Sequence, residues 1–427
     1  MIISQEFIEK IPKTDLHLHL DGSLRLSTLI ELAQEHGIKL PAYDEKGLRR
    51  LVFRRKYANL AEYLKAFAYT TAVLQTGSAL ERAGYELAHD NQAEGVRYIE
   101  VRFAPQLHQN ASLTCLDAMA ALNRGLARAK DEFNARAEVK SGAEPPFEYG
   151  IIACAMRMFD YGYSHYFDTL LHVHAHSERK GVFSLASQEL VRAAVNAKTK
   201  LKLPIVGFDL AGAEAGFPAE DHAQAYALAH KNFLKKTVHA GEAYGPESIF
   251  QAITDLHADR LGHAVHLFDA GMIKSPEIED KRAYVANLVQ FIADRRITIE
   301  VCLTSNLQTN PAIRDLAHHS FKLMRKAKLS ATFCTDNRTV SQTTVSAEIL
   351  KAVRAFGITP RELKNFIIYG FKRSFFPGTY IKKREYTHQI IEYYEKIEKQ
   401  FRRRGIRQAN RLVPTASVKR IGRAPYR

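Results

Sequence analysis

Eight short apolar runs rich in β-branched and aromatic residues recur along the chain, and they constrain its fold more than any other feature. Longer stretches with helix-like spacing separate the runs. This alternation predicts parallel βαβ units, and eight of them predict an α/β fold, a (β/α)8 barrel of the TIM type. The predicted strands are residues 14–20, 96–103, 149–156, 204–210, 236–240, 260–265, 297–303 and 329–334.

Two long connections interrupt this rhythm. Residues 21–95 separate the first two strands, and residues 158–188 lengthen the connection after the third, so both are predicted helical insertions. Helical patterns at 346–357 and 386–401 predict extra C-terminal helices. Because no linker rich in Pro, Gly or Ser divides the chain, we expect residues 1–400 to form one domain.

The net charge of +15 is concentrated at the C terminus. Residues 401–427 hold nine Arg or Lys and no acidic residue, so +9 of the +15 lies in this segment. The segment lacks helical or strand periodicity, and we expect a basic, partly disordered tail. The rest of the chain is close to neutral for its length, which disfavours a nucleic-acid partner except through the tail.

The composition is that of an ordinary globular protein, with 46% hydrophobic and 25% charged residues among 427. The cysteines are far apart and form no C-x-x-C pair, so we interpret them as small buried hydrophobes in a reducing compartment. The sequence shows neither a signal-peptide core nor an apolar run of membrane-spanning length. We therefore expect a cytoplasmic protein. The four cysteines are Cys115, Cys154, Cys302 and Cys334.

Histidines and an aspartate lie where a (β/α)8 barrel carries its functional side chains, at the C-terminal ends of strands. The first strand ends in His17-x-His19, and residues two apart in a strand point to one face. The fifth strand ends with His239, and Asp336 follows the eighth. Three histidines and a carboxylate predict one Zn²⁺ ion with a position left for water. An isolated H-x-H pair is a weak signal, and Asp336 alone equally fits a helix N-cap.

Other histidines have simpler interpretations. His172, His174 and His176 alternate in the second insertion, but they follow no predicted strand and have no acidic partner in register. We expect them to lie on the surface or to pack. His266, which lies close after His263 at the sixth strand end, is expected to be a loop or packing residue.

Six motifs together resemble the adenosine deaminase family, which belongs to the metal-dependent amidohydrolase barrels. They occur in family order from about residue 10 to residue 375, which leaves the basic tail outside the resemblance. VHAGE is the most specific of them, and the others gain weight by occurring jointly. The motifs are PKTDLHLHLDGSLR (12–25), VRYIEVRFAP (96–105), FDLAGAE (208–214), VHAGE (238–242), RLGH (260–263) and CTDN (334–337).

The resemblance implies hydrolytic deamination of adenosine and 2′-deoxyadenosine to inosine and 2′-deoxyinosine with release of ammonia. A zinc ion would lower the pKa of its bound water. His263 matches the general base beside that water, and Asp336 also matches the residue that aligns it. Glu242 matches the acid that protonates purine N1, and a closed apolar site would raise its pKa for that role. The implied zinc ligands are His17, His19, His239 and Asp336.

The resemblance also implies substrate contacts. Asp21 matches the residue that binds the ribose hydroxyls, and Gly212 matches a backbone contact to purine N3. Asn337 stands where many members have a second aspartate; its amide always carries N–H donors, which suits the acceptor N7. Four residues with helical spacing within 57–77 match an apolar lid, although a core-facing helix has the same spacing. They are Leu60, Tyr63, Leu64 and Phe67.

Two alternatives remain open. The first is a deaminase of another aminopurine, such as adenine, AMP, methylthioadenosine or an aminofutalosine-like nucleoside. Asp21 argues against a free base, which has no ribose, and against a nucleotide, whose phosphate a carboxylate repels. The second alternative is a non-catalytic binding protein on the same fold, and the complete set of zinc ligands with His263 and Glu242 argues against it.

Overall fold

The computed structural model describes residues 3–412, with side chains described through residue 404. Its centre is an eight-stranded sheet in which each strand pairs in parallel with the next along the chain. All strand boundaries lie within two residues of the predicted ones. The strands are β1 (Lys13–His19), β2 (Val96–Phe103), β3 (Glu148–Met156), β4 (Ile205–Ala211), β5 (Lys235–Ala240), β6 (Arg260–His263), β7 (Thr298–Val301) and β8 (Ala331–Phe333).

The sheet closes into a barrel just beyond the end of β8. The backbone N–H of Asp336 donates to the carbonyl of His17 at 2.8 Å, and the N–H of His19 donates to the carbonyl of Asp336 at 2.8 Å. Closure brings the C-terminal ends of all eight strands to one end of the barrel. The predicted (β/α)8 fold is confirmed, and Asp336 itself takes part in closing the barrel.

Helices surround the barrel and fill both insertions. Local sequence explains their ends. Thr114 and Asp117, for example, form a reciprocal capping box at the start of α7, and Gly357, with a φ of +59°, ends α16. The α-helices in the described residues are α1 (Gln5–Lys10), α2 (Leu26–Glu35), α3 (Glu45–Leu51), α4 (Leu60–Leu64), α5 (Phe67–Val73), α6 (Gly77–Ala93), α7 (Cys115–Asn134), α8 (Ala137–Lys140), α9 (His165–Val173), α10 (Arg179–Thr199), α11 (Ala223–Lys231), α12 (Pro246–Thr254), α13 (Lys281–Arg295), α14 (Leu303–Thr309), α15 (Phe321–Lys326), α16 (Val345–Phe356), α17 (Pro360–Arg373) and α18 (Tyr380–Leu412).

The first insertion holds α2 to α6, and the helical spacing seen within residues 57–77 is divided between two helices. The chain forms α4 and α5 with a break between them. At the break, the N–H groups of Lys65 and Ala66 bond to the carbonyls of Glu62 and Tyr63, three residues back. These tighter bonds interrupt the α-helical ladder, so the spacing of apolar residues alone could not show the break.

The described chain stays helical past residue 401, where we expected the basic tail to begin. Helix α18 extends to Leu412, and its later residues find partners on α1. The ring of Phe401 packs edge-on against Phe7, with centroids 5.3 Å apart, and Arg404 pairs with Glu6 at 3.1 Å. These contacts lie far along the chain, which is why local periodicity missed them. Residues 413–427, with the rest of the predicted tail, lie outside the described residues.

The strands are buried almost throughout, because side chains fill the barrel on one side and helices cover the other. Helix α17 packs on β1 and β8, where Gly370 lies so close to Thr14 that a Cβ atom would overlap its hydroxyl. Within residues 3–412, no helix is both long and apolar enough to cross a membrane.

Candidate active site

Four predicted metal ligands converge at the C-terminal end of the barrel. His17 and His19 come from the end of β1, His239 from β5 and Asp336 from the residue that closes the barrel. Their ligand atoms lie within 4.8 Å of one another, and all four residues are buried. The Nε2 atoms of His19 and His239 are 3.1 Å apart, and Asp336 Oδ1 lies 3.4 Å from the first of them.

The cluster fits a divalent cation. His17 Nε2 is buried without a hydrogen-bond partner in the described part of the chain, and at most one proton can lie between His19 and His239. Burial lowers the pKa of both His19 and His239, which favours the neutral form that binds metals. Burial also opposes a charge on His17, yet Asp336 and Glu300 raise its pKa. Nitrogen and oxygen donors in this number suit Zn²⁺.

Carboxylates behind the cluster orient two of the histidines. His17 Nδ1 lies 2.8 Å from Glu300, and His239 Nδ1 lies 3.2 Å from Asp209. Arg102 joins both carboxylates, donating to Asp209 at 2.7 Å and to Glu300 at 2.9 Å. An Nδ1–H donated to a carboxylate leaves the Nε2 lone pair directed at the cluster, which is the arrangement found around metal-binding histidines.

These carboxylates are ionised although they are buried. Burial alone would raise the pKa of Asp209 and Glu300, but it is outweighed by Arg102 at both, by His239 at Asp209 and by Arg260 at Glu300, which hold both values well below the usual range. Neither Asp209 nor Glu300 was predicted from the sequence to have a role. Each is a charged residue inside an apolar strand, and that signal could have found them, because a charge buried in a strand must be paired.

Two site residues adopt strained backbone conformations. His263 has a φ of +64° and Asp336 a φ of +61°, in the left-handed region. For residues other than glycine this costs roughly 1–2 kcal/mol each. Strain of this kind is maintained where the surroundings fix it, and it clusters at functional sites.

Glu242 follows the metal cluster in β5's loop and faces the same cavity. Its side chain is buried, accepts a hydrogen bond from Thr309 at 3.4 Å and lies 3.6 Å from His263 Nε2. Burial raises its pKa well above the usual value, and the charges of Asp336 and Glu214 raise it further. A raised pKa favours the protonated form of the carboxyl group, which can donate a hydrogen bond.

Glu214 fixes the loop that carries Glu242. Its carboxylate accepts hydrogen bonds from four consecutive backbone N–H groups of the loop and from a serine hydroxyl. These bonds hold the loop backbone in one position. Glu214 is the last residue of the FDLAGAE motif, and no role was predicted for it. The donors are the N–H groups of Gly241 (2.6 Å), Glu242 (2.9 Å), Ala243 (2.6 Å) and Tyr244 (3.1 Å), and the hydroxyl of Ser248 (2.5 Å).

A cavity of about 660 Å³ extends outward from the metal cluster. Asp21 lines it with a buried Oδ1 that has no hydrogen-bond partner in the described chain, and burial raises the pKa of Asp21 to about 6. Gly212 also lines the cavity, with a φ of +105° that favours glycine. The four predicted lid residues all reach the cavity wall, although two helices carry them. They are Leu60, Tyr63, Leu64 and Phe67.

Asn337 is more constrained than expected. Its Nδ2 donates to Asp336 Oδ1 at 2.7 Å and to the hydroxyl of Tyr63 at 2.9 Å, so both amide protons have acceptors within the protein. The Tyr63 hydroxyl in turn lies 2.9 Å from Ser341 Oγ. On the other side, a Cβ at position 22 would overlap Asn337 Oδ1, so Gly22 leaves room for this orientation. Tyr63 is thus a polar as well as an apolar part of the cavity wall.

The histidines for which we expected simpler roles are not members of the cluster. His172 and His176 are exposed and His174 is half-buried near the end of α9. His266 binds the Asn310 amide at 2.6 Å. These positions agree with the surface and packing roles expected for them.

Residues 12–393 match the family profile described as Adenosine deaminase. The chain belongs to the adenosine deaminase family. An adenosine deaminase of Mycobacteroides abscessus is 37% identical over 373 residues, covering 87% of this chain and 92% of the relative. One of Mycolicibacterium vanbaalenii is 35% identical, covering 86% and 91%.

Solved structures share the fold at lower identity. An adenine deaminase from Arthrobacter aurescens has 22% identity and a TM-score of 0.67, covering 90% of this chain and 99% of that one. An N6-methyl-AMP deaminase from Arabidopsis thaliana has 24% identity and a TM-score of 0.67, covering 91% and 98%. An amidohydrolase from Burkholderia ambifaria with bound zinc has 20% identity and a TM-score of 0.73, covering 94% and 96%. Family members are metal-dependent, and the His/Asp cluster here is suited to a metal.

Proposed function

We propose that the protein is a zinc-dependent enzyme that converts adenosine and 2′-deoxyadenosine to inosine and 2′-deoxyinosine with release of ammonia. The observation that carries the proposal is that one cavity contains both a metal-ligand cluster and the buried carboxyl group of Glu242, which lies 3.6 Å from His263 Nε2. The zinc ion, one per chain, would lower the pKa of a bound water so that it attacks at neutral pH. It would be held by His17, His19, His239 and Asp336.

Glu242 activates the purine ring. In the reaction a water gives up one proton and its oxygen adds to C6. The second water proton then moves to the amino nitrogen, the bond between C6 and that nitrogen breaks, and ammonia leaves. Attack on a neutral aromatic ring is slow, but a proton on N1 withdraws electrons from C6. The buried, protonated Glu242 supplies that proton, and its raised pKa keeps it available near neutral pH.

The cavity supports a nucleoside substrate. The unpartnered carboxylate oxygen of Asp21 accepts hydrogen bonds from the ribose hydroxyls. The backbone at Gly212 contacts N3, and the wall formed by α4 and α5 covers the base and excludes water. The two mycobacterial relatives are named adenosine deaminase, and this chain matches 92% and 91% of their length. This similarity supports the same substrate.

The test is ammonia release from a panel of aminopurines by the zinc-loaded protein. The panel contains adenosine, 2′-deoxyadenosine, adenine, AMP, methylthioadenosine and aminofutalosine. We expect the highest kcat/KM for the first two. A higher kcat/KM for any other member would replace the proposed substrate, and no ammonia from any member would refute the deaminase itself.

Two variants separate the proposed roles. Glu242→Gln should keep its zinc but lose more kcat than the roughly 10²–10⁴-fold usual for a general acid, because activation of the ring depends on this proton. Asp21→Ala should raise KM for adenosine strongly and leave zinc content unchanged. The matched control is Glu247→Gln, since Glu247 also binds backbone N–H groups, at 3.0 and 2.9 Å, but lies outside the cavity.

A further inference from the structure

A chain of three hydrogen bonds leads from a backbone amide to His263. The N–H of Phe321 donates to His319 Nδ1 at 3.0 Å. His319 Nε2 lies 3.1 Å from Asn306 Oδ1, and Asn306 Nδ2 lies 2.9 Å from His263 Nδ1. The side chains of His319, Asn306 and His263 are almost completely buried. Every proton in this chain must therefore be placed by the protein itself.

The backbone amide fixes the first proton. A backbone N–H can only donate, so His319 Nδ1 must accept and carries no proton. An imidazole with an unprotonated Nδ1 carries its proton on Nε2, and His319 therefore donates to Asn306. The charged form of His319 would place two protons between His319 and Phe321, and burial moreover lowers the pKa of His319 to about 4.

The proton on His319 then sets the rest of the chain. The atom of Asn306 that faces His319 must be its oxygen, so its NH₂ group faces His263. A reversed amide would direct N–H groups of Asn306 and His319 at each other. Since Asn306 donates, His263 Nδ1 is an acceptor without a proton. The neutral ring of His263 then carries its proton on Nε2, and a charged ring would clash with the amide.

We infer that His263 Nε2 carries a proton in the resting enzyme and acts as a hydrogen-bond donor to the attacking oxygen, with Asn306 and His319 as the positioning residues that keep it so. This inference rests on the proposed function and deepens it. It replaces the general-base role that the family resemblance gave to His263, since a nitrogen that already holds a proton cannot take one from water. The attacking water would instead lose its proton to solvent before the attack, which the zinc ion would favour by lowering the pKa of that water.

The position of His263 Nε2 suits a donor. It has no hydrogen-bond partner in the described chain, it lines the cavity, and it lies 3.6 Å from Glu242 Oε2. A fixed N–H can hold a lone pair of the attacking oxygen and orient it toward C6. After Glu242 gives its proton to the ring, the same N–H also faces the carboxylate that is left.

Neutron diffraction from a deuterated crystal of the zinc-loaded protein tests the proton directly. We expect deuterium on Nε2 and none on Nδ1 at both His263 and His319. Deuterium on Nδ1 of His263, alone or together with Nε2, would overturn the inference. This measurement needs no substrate, so it stands apart from the proposed function. If the protein deaminates no aminopurine, that function fails whatever the neutron map shows.

Two substitutions at His263 give an independent kinetic test. The amide of glutamine can place an N–H near the Nε2 position but cannot act as a base. His263→Ala should lower kcat by about 10²–10³, the usual effect of removing one donor to a reacting oxygen. The kcat of His263→Gln should exceed that of His263→Ala by about tenfold or more. The zinc content of the two variants should be equal. Equal loss in the two variants would contradict the donor role.

Asn306→Asp should move the proton of His263 from Nε2 to Nδ1, because a carboxylate accepts a hydrogen bond from Nδ1–H. Nε2 is then left without a proton. We expect kcat to fall by about 10²-fold. If His263 were a general base, kcat would instead rise or stay unchanged. Asn310→Asp is the matched control, since it makes the same change at the pair formed by Asn310 and His266, which lies outside the cavity. The control should keep kcat within about twofold. Undiminished kcat in Asn306→Asp would refute the donor assignment.

Discussion

The carboxylate of Glu214 accepts a hydrogen bond from the backbone N–H of Glu242 at 2.9 Å. Three further N–H groups of the same loop and the Ser248 hydroxyl bind the two carboxylate oxygens of Glu214. Glu214 therefore has two effects on Glu242. It fixes the backbone position of Glu242, and its negative charge helps to raise the pKa of the Glu242 carboxyl group.

Glu214→Gln should weaken both effects. Glutamine has one acceptor oxygen where the carboxylate has two, so part of the loop loses its partner, and we expect kcat near neutral pH to fall by about tenfold or more. Glu242 must be protonated to act, so kcat falls as the pH rises through its pKa. Without the charge of Glu214 that pKa drops, and the alkaline limb of the kcat profile should move to lower pH. An unshifted limb would show that Glu214 acts only on loop geometry.

Metal content should depend on the cluster and on no other histidines. Zinc analysis of protein purified without chelator should give about one equivalent per chain. His239→Ala should lose it, and chelation should lower the melting temperature, because a ligand bound only to the folded state stabilises it. His172→Ala is the control, since His172 belongs to the histidine-rich segment of the second insertion and is exposed. Loss of zinc in that variant would point to a second metal site.

Tyr63 should contact the acceptor edge of the base. Its hydroxyl accepts one hydrogen bond from Asn337, and Ser341 can donate a second, which leaves the Tyr63 proton free to face the cavity. Both protons of Asn337 are already bound. We expect inosine to bind about tenfold more tightly than 7-deazainosine, which lacks the N7 acceptor. In Tyr63→Phe this ratio should fall to about one.

The control for that comparison is Tyr57→Phe. The Tyr57 ring packs edge-on against Tyr63 with centroids 5.1 Å apart, but its hydroxyl donates to the carbonyl of Val52 and lies outside the cavity. It should keep the inosine preference. If Tyr63→Phe also keeps it, Asn337 must rearrange to contact N7, as the sequence alone had predicted.

Much of this arrangement could be predicted from sequence because it depends on local patterns. Strand periodicity located all eight strands, and the position of strand ends brought His17, His239 and Asp336 to one place. Their residue types and their positions at strand ends are enough to identify them as candidate ligands. No long-range information was needed beyond the rule that parallel strands share an end.

Other features could not be predicted because they depend on contacts between distant segments. The link from His319 through Asn306 to His263 joins residues that no motif connects. The partner of Asn337 in α4 depends on how the first insertion folds over the barrel. Apolar spacing in that insertion did not reveal the break between α4 and α5, which is set by backbone hydrogen bonds.

The C-terminal helix should contribute to stability but not to catalysis. Phe401 packs on Phe7 of α1, and α1 leads into the N-terminal end of β1, opposite the proposed site. Truncation after Gln400 removes this aromatic contact, whereas truncation after Arg404 keeps it. We expect the shorter protein to be less stable by about 1–2 kcal/mol, from the aromatic pair and its buried area.

Urea denaturation of the two zinc-loaded truncations measures that difference, and their kcat values should agree within about twofold. The comparison isolates four residues, of which Arg404 makes only an exposed ion pair, so most of the effect should come from Phe401. Phe401→Ala in the longer protein should then reproduce the loss. Equal stability of the two truncations would show that α18 needs no anchor beyond Gln400, and a large fall in kcat would mean that the helix influences the distant end of the barrel.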